Sequence, residues 1–293
     1  MKLLKTFSLY TFVGFLNAGI SFLILPILTR YLSPADYGII ALINTYVTIL
    51  MPIVGLSTAS LLSVEYYNSR LSKDEFKVMF SSVRLIPLLT IFPLLVLFLL
   101  GSSFLPPILE LPPHAYWLLL PLTLFALYQD NFKSFLVISK RVYLFSITTL
   151  GKIGLEIPLT ILLIVSFSMQ WEGRIYAWLA TLVFFTSLSL FYYKKWDLLS
   201  LRINKAYIYQ ALAFGSPLIL HQVGKFVINQ SDRIFLAKMI SVEEMGIYSV
   251  GLCFIKNVRI LKFCIVAGSA TKKLVFAHRF LVKKFYYFIG VAR

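Results

Sequence analysis

Residues 28–39 read LTRYLSPADYGI, and 208 positions later residues 236–247 read LAKMISVEEMGI. Leu28/Leu236, Ser33/Ser241, Gly38/Gly246 and Ile39/Ile247 are identical, while Arg30/Lys238, Leu32/Ile240 and Asp36/Glu244 are chemically alike. Each copy joins two long apolar segments. Internal repetition on this scale in a hydrophobic chain is a mark of transporters built from two related halves. A second 208-residue unit would finish near residue 416, whereas the sequence ends at Arg293. The expectation is one whole half followed by the start of another.

The repeat also reads as a helix start. Ser33 suits the N-cap, Pro34 the first helical position, and Asp36 the carboxylate place of a capping box. Ser241 to Glu244 repeats that logic. Gly38 and Gly246, one turn further in, leave room for a neighbouring helix to come close.

With 59% apolar and 14% charged residues, the chain falls outside the soluble globular class. Hydrophobic stretches place spans at roughly 7–29, 37–62, 79–100, 115–137, 143–167, 174–193 and 206–228, with an eighth beginning near Met245. About 20 residues suffice to cross the hydrocarbon core. The fold expected is an all-α integral membrane protein: a six-helix transporter lobe over 1–205, then the first helices of an incomplete second lobe over 206–254. The first apolar run is longer than a signal core and reads as a retained helix.

Lys and Arg in short loops set the orientation. A cytoplasmic N-terminus puts thirteen of them inside, from Lys2 to Lys205, against Arg30, Arg174, Arg233 and Lys238 outside. Residues 255–293 hold nine basic residues and no acidic one, and so form a separate basic tail. Under the 208-residue offset, Lys256, Arg259 and Lys262 fall opposite Thr48, Met51 and Val54 in mid-membrane. Each charge there costs roughly 2.5–3.5 kcal/mol. A changed reading frame near Cys253–Lys256 or a truncation, a basic amphipathic tail on the anionic leaflet, or a helix lining an anion lumen would each account for it. On the first account the 293-residue chain should fail to restore transport to a transporter-deficient strain, and a frame-restored version of about 410 to 420 residues should succeed, because alternating access needs both lobes.

Two sets of polar residues stand inside the spans. Lys152 and Glu156 lie four apart in the fifth span, on one face. They read either as a neutralised structural pair or as a lysine, oriented by Glu156, that meets an anionic substrate. His221, Lys225, Asn229 and Asp232 form a stripe on the seventh span, and Lys225 and Asn229 correspond through the repeat to Asn17 and Ser21. The stripe reads as one wall of a cavity between lobes or as side chains reaching the interface. Asp130 suggests a hydrated helix end, and Arg84 either reaches back to the interface from the start of the third span or adds charge to the cavity. The candidate cavity set is Lys152, Glu156, His221, Lys225, Asn17, Asn229 and Arg84.

Other chemistry has little support. The chain has no phosphate-binding G-x-x-x-x-G-K-[ST] loop, no H-E-x-x-H and no paired-cysteine site, and Cys253 and Cys264 lack ligand spacing. No inter-span loop is long enough to carry a catalytic domain. The reading is therefore not an enzyme, with no cofactor, no metal and no nucleic-acid partner.

The run Arg30-Tyr31-Leu32-Ser33-Pro34-Ala35-Asp36-Tyr37-Gly38 resembles the pattern R-x-L-S-P-x-D-[FY]-G of bacterial polysaccharide and O-antigen flippases, the polysaccharide transporter family of the multidrug/oligosaccharidyl-lipid/polysaccharide exporter superfamily. Gly215-Ser216-Pro217 and Asn229-Gln230-Ser231-Asp232-Arg233 are similar to that family's seventh helix, and the resemblance covers residues 1–254. It implies twelve helices in two lobes around a central cavity, in the bacterial inner membrane. It also implies movement of undecaprenyl-pyrophosphate-linked glycans, O-antigen or other lipopolysaccharide units, with polysaccharide polymerase and chain-length machinery as further partners. The chain departs from that pattern in lacking the last four helices. Alternatives are a truncated fragment without activity, a drug/cation antiporter of the same superfamily, and a membrane-embedded glycosyltransferase or polymerase.

Overall fold

A computed structural model describes residues 12–16, 19–20, 24–68 and 71–268, with side-chain surroundings up to residue 255. Asn17, Ser21 and residues 269–293 lie outside the described residues, as do the side chains of Lys256, Arg259 and Lys262. The protein is an all-α integral membrane protein. After a helical segment at 24–28 come α1 (Pro34–Gly55), α2 (Ala59–Asn68), α3 (Lys73–Arg84), α4 (Ile86–Leu100), α5 (Leu105–Ile108) and α6 (Pro113–Ile138). α7 (Val142–Ile161) runs on as a π-helical turn, Leu162–Ser166, before α8 (Trp171–Lys195), α9 (Lys205–Met239) and α10 (Val242–Gly268). Five stretches among the described residues are long and apolar enough to cross a membrane: Pro34–Gly55, Lys73–Leu100, Val142–Ser166, Trp171–Lys195 and Lys205–Met239.

The repeat motif starts α1 as its residues dictate. Asp36 N–H donates to Ser33 Oγ at 3.2 Å, and Ser33 N–H donates to Asp36 Oδ2 at 2.9 Å, closing the capping box. In the second copy Glu244 N–H donates to Ser241 Oγ at 3.1 Å. Ser33→Ala removes the acceptor for one helix-end N–H and should cost about 1 kcal/mol, read as a lower thermal unfolding midpoint in detergent.

The two copies then meet each other. A Cβ on Gly38 would collide with the Val242 carbonyl oxygen, and a Cβ on Gly246 with the Pro34 carbonyl oxygen. Positions 34 and 242 are themselves repeat equivalents, so the contact is reciprocal, as across a twofold axis. Met245 of α10 is fully buried here, in a core it shares with Leu42 and Ile43 of α1, Tyr116 and Leu122 of α6 and Ile175 of α8.

Several predicted spans differ from what is observed: the seventh runs on to Met239, and the fourth, α6, is not among the five long apolar stretches. The second breaks: α1 ends at Gly55, Leu56 and Ser57 turn left-handed (φ 46° and 53°), and α2 resumes at Ala59. Left-handed geometry costs a non-glycine residue about 1–2 kcal/mol. Partners elsewhere in the chain hold it in place. Gly215 of α9 lies against the Leu56 carbonyl, Gln222 Nε2 donates to Ser57 Oγ at 2.9 Å, and Thr90 Oγ1 donates to the Val54 carbonyl at 2.5 Å. The third span begins earlier than residue 79, at Lys73, because Ser72 and Glu75 close a second capping box. Arg84 therefore ends a 12-residue helix inside the stretch Lys73–Leu100 and does not lie at the start of the span.

Candidate functional site

α7 carries Lys152 and Glu156 on one face, with Lys152 Nζ 3.7 Å from Glu156 Oε2. A four-residue connection after the π-helical turn sets the first turn of α8 beside the last turns of α7. Arg174 on that turn reaches across: Nη2 lies 2.7 Å from Glu156 Oε1, and Nη1 donates to Thr160 Oγ1 at 3.0 Å. Thr160 Oγ1 in turn donates to the Glu156 carbonyl at 2.7 Å. The Glu156 side chain is only 12% exposed, so one carboxylate is shared between two basic side chains in a largely dry place.

That pair forms part of the wall of a cavity of about 460 Å³. Lys133 of α6, Lys152 of α7, Arg174 of α8 and Arg233 of α9 line it, with Glu156 as the only acidic lining residue among the described residues. Tyr37 Oη of α1, Thr149 Oγ1 of α7 and Arg233 Nε are buried here without a hydrogen-bond partner among the described residues. Buried polar groups are ordinarily satisfied, and unsatisfied ones cost about 1–3 kcal/mol each. Four basic groups against one carboxylate, with three polar atoms lacking partners, make a site suited to an anion rich in acceptor oxygens.

Of the residues expected to line a shared cavity, Lys152 and Glu156 do so. His221, Lys225 and Asn229 lie on an exposed face of α9, where Asn229 Nδ2 donates to the Lys225 carbonyl at 2.7 Å. The helix supplies Arg233 to the cavity instead. Each step of four residues turns the face by about 40°, so Arg233 is roughly 120° around from His221. Asp232 stays near the His221 face and accepts a hydrogen bond from Tyr248 Oη of α10 at 2.5 Å.

Arg84 lies apart from this cavity. Its guanidinium carbon is 4.3, 5.0 and 5.7 Å from the ring centres of Tyr193, Tyr128 and Phe80. Three aromatic faces hold the charge within the bundle. Sequence reasoning missed Lys133, Arg174 and Arg233 as cavity residues because all three were counted as loop charges. The length of α9 was the available signal for Arg233: at 35 residues it continues well past residue 228.

Comparison with known proteins places the chain. The family described as "Polysaccharide biosynthesis protein" matches residues 3–268, and the chain belongs to it. The match runs on through residues 255–268, which their charge had set apart. A protein of Haemophilus influenzae (strain ATCC 51907 / DSM 11121 / KW20 / Rd), named "Uncharacterized membrane protein", is 27% identical over 276 residues, 89% of this chain and 63% of that protein. A solved structure described as "protein A" superposes with a TM-score of 0.62 at 18% identity, over 87% of this chain and 60% of the other, a likeness of fold. The chain thus spans a little under two thirds of the length of the proteins it matches.

Proposed function

We propose, from that membership, that the protein moves lipid-linked oligosaccharides, O-antigen or other surface-polysaccharide repeat units, across the bacterial inner membrane by alternating access. The observation that carries this is the cavity among α1, α6, α7, α8, α9 and α10, with its four basic side chains and three unpartnered polar atoms. A pyrophosphate linkage offers several acceptor oxygens to Arg174, Arg233, Lys152 and Lys133, and the sugar hydroxyls find partners in groups such as Tyr37, Asn44 and Ser249. Without such partners each hydroxyl would lose several kcal/mol in hydrocarbon, while the polyprenyl tail stays among lipids. The N-terminus is cytoplasmic on the loop-charge count, so Arg174 and Arg233 lie in the outer half of the cavity. The role is transport and not catalysis. The second repeat belongs to the other lobe, and residues 1–205 to the first.

A drug/cation antiporter is disfavoured by one contact set: the cavity's carboxylate is already engaged by Lys152 and Arg174. Deleting the gene from its host tests the proposal. Surface polysaccharide should fall, and lipid-linked repeat units should accumulate on the inner leaflet. Unchanged surface polysaccharide, with altered tolerance of cationic drugs, would overturn it.

A further inference from the structure

The charge of the cationic cavity is answered from its own wall at one carboxylate. Glu156 divides its two oxygens between two cations, Oε1 lying 2.7 Å from Arg174 Nη2 and Oε2 lying 3.7 Å from Lys152 Nζ. Arg174 is held on that side by a further bond, from Nη1 to Thr160 Oγ1 at 3.0 Å. Lys133 is close enough to interact electrostatically with both Lys152 and Glu156. Across the cavity, Arg233 Nε is buried without a hydrogen-bond partner among the described residues. The cations therefore differ in readiness: Arg233 has a donor to spare, while Arg174 and Lys152 are already engaged.

Carboxylates and phosphoryl groups make the same demand on a guanidinium. Each offers a pair of charged oxygens that fit its forked N–H groups. An anion that enters the cavity thus competes with Glu156 for Arg174. The two partners differ in freedom. Glu156 is 12% exposed within α7, whereas Arg174 is 30% exposed on the first turn of α8. The long arginine is the partner that can turn. A transport site also has to let its cargo go, so binding must be strong enough for entry and weak enough for exit. Four basic side chains in a largely dry wall, with no carboxylate among them, would favour entry alone.

We propose that Glu156 is a built-in competitor for the anion of this cavity. It holds Arg174 and Lys152, Arg174 turns from Glu156 and Thr160 to the phosphoryl oxygens of an arriving diphosphate, and the carboxylate takes Arg174 back as the anion leaves. The inference rests on the reading of the cavity as a diphosphate site and adds how that site releases what it binds. Arg233 and Lys133 attract the anion; Glu156 limits how long it stays.

The test is equilibrium binding of radiolabelled inorganic pyrophosphate to the purified full chain in detergent. Glu156→Gln should bind about tenfold more tightly than the unaltered chain, through slower dissociation, because a charge-assisted competitor has been removed. A purely structural carboxylate would give the opposite, since its loss would loosen the wall and weaken binding. Asp74→Asn removes an equal charge from the exposed first turn of α3 and should leave the affinity unchanged. Thr160→Val removes the bond that helps to keep Arg174 beside Glu156 and should tighten binding about threefold. Binding that Glu156→Gln leaves unchanged or weakens, or that Asp74→Asn tightens equally, overturns the inference and leaves the anion site standing. Failure of pyrophosphate to bind any form overturns the anion site and the inference together. Should Glu156→Gln fail to yield a monodisperse protein, Thr160→Val decides, and an unchanged affinity there overturns the inference.

Discussion

Arg174→Met should lower stability by about 2–4 kcal/mol, the largest loss expected from any single side chain of the cavity. Removing one partner of a buried ion pair typically costs about 3–5 kcal/mol, because the other charge stays behind without compensation. Arg174 is 30% exposed, which moves the expectation toward the lower part of that range. What stays behind is Glu156, 12% exposed, with Lys152 at 3.7 Å as its remaining charged partner. The substitution also takes the donor from Thr160 Oγ1. Glu156→Gln with Arg174→Met leaves no uncompensated carboxylate, so the double variant should be more stable than Arg174→Met alone. Thermal unfolding of both in detergent checks this. Equal midpoints for single and double variants would mean that the carboxylate left behind carries no penalty.

Gly246→Ala should be nearly as damaging, for a steric reason. The new Cβ would meet the Pro34 carbonyl oxygen and the Gly38 backbone, neither of which can rotate away as a side chain would. α1 and α10 would have to move apart along a buried seam, and overpacking of this sort costs about 1–3 kcal/mol. Gly38→Ala should behave alike, since its Cβ meets the Val242 carbonyl. The control is Gly224→Ala in α9, where nothing lies within 4 Å of the added carbon. There alanine should be neutral or stabilising by up to about 1 kcal/mol through helix propensity. A Gly246→Ala protein as stable as Gly224→Ala would show that the two repeats do not touch at their glycines.

These two expectations differ in how far they were legible from residues alone. The glycine contact was half legible. Spacing and the repeat showed that a helix approaches Gly38 and Gly246, and only the structure shows that each approaches the other's copy. The capping boxes were written in the sequence; the one at Ser72–Glu75 escaped because its charged first turn lies outside any apolar window. The break at Leu56–Ser57 had no local signal. Gly215, Gln222 and Thr90 impose it from helices far along the chain, and a left-handed leucine has no propensity that would announce it. In the site, Lys152 and Glu156 were legible because four-residue spacing puts them on one face. Lys133, Arg174 and Arg233 were not, because positions near span ends read equally well as loop charges. The stripe at His221, Lys225 and Asn229 was a true periodicity on a face that this cavity does not use; Arg233 reaches the cavity through the drift of a four-residue step around the helix.

On the proposed function, the cationic cavity holds the anionic linkage of a lipid-linked glycan. Binding of an undecaprenyl-pyrophosphate-linked oligosaccharide to the purified chain, beside undecaprenol and beside the free oligosaccharide, measures that claim directly. Tight binding of the pyrophosphate form alone is expected, weakened about tenfold or more in Arg233→Gln through loss of a charge-assisted hydrogen bond, with Lys225→Gln unchanged. Equal binding of the pyrophosphate-linked lipid and undecaprenol, or an Arg233→Gln protein that binds like the unaltered chain, would contradict it.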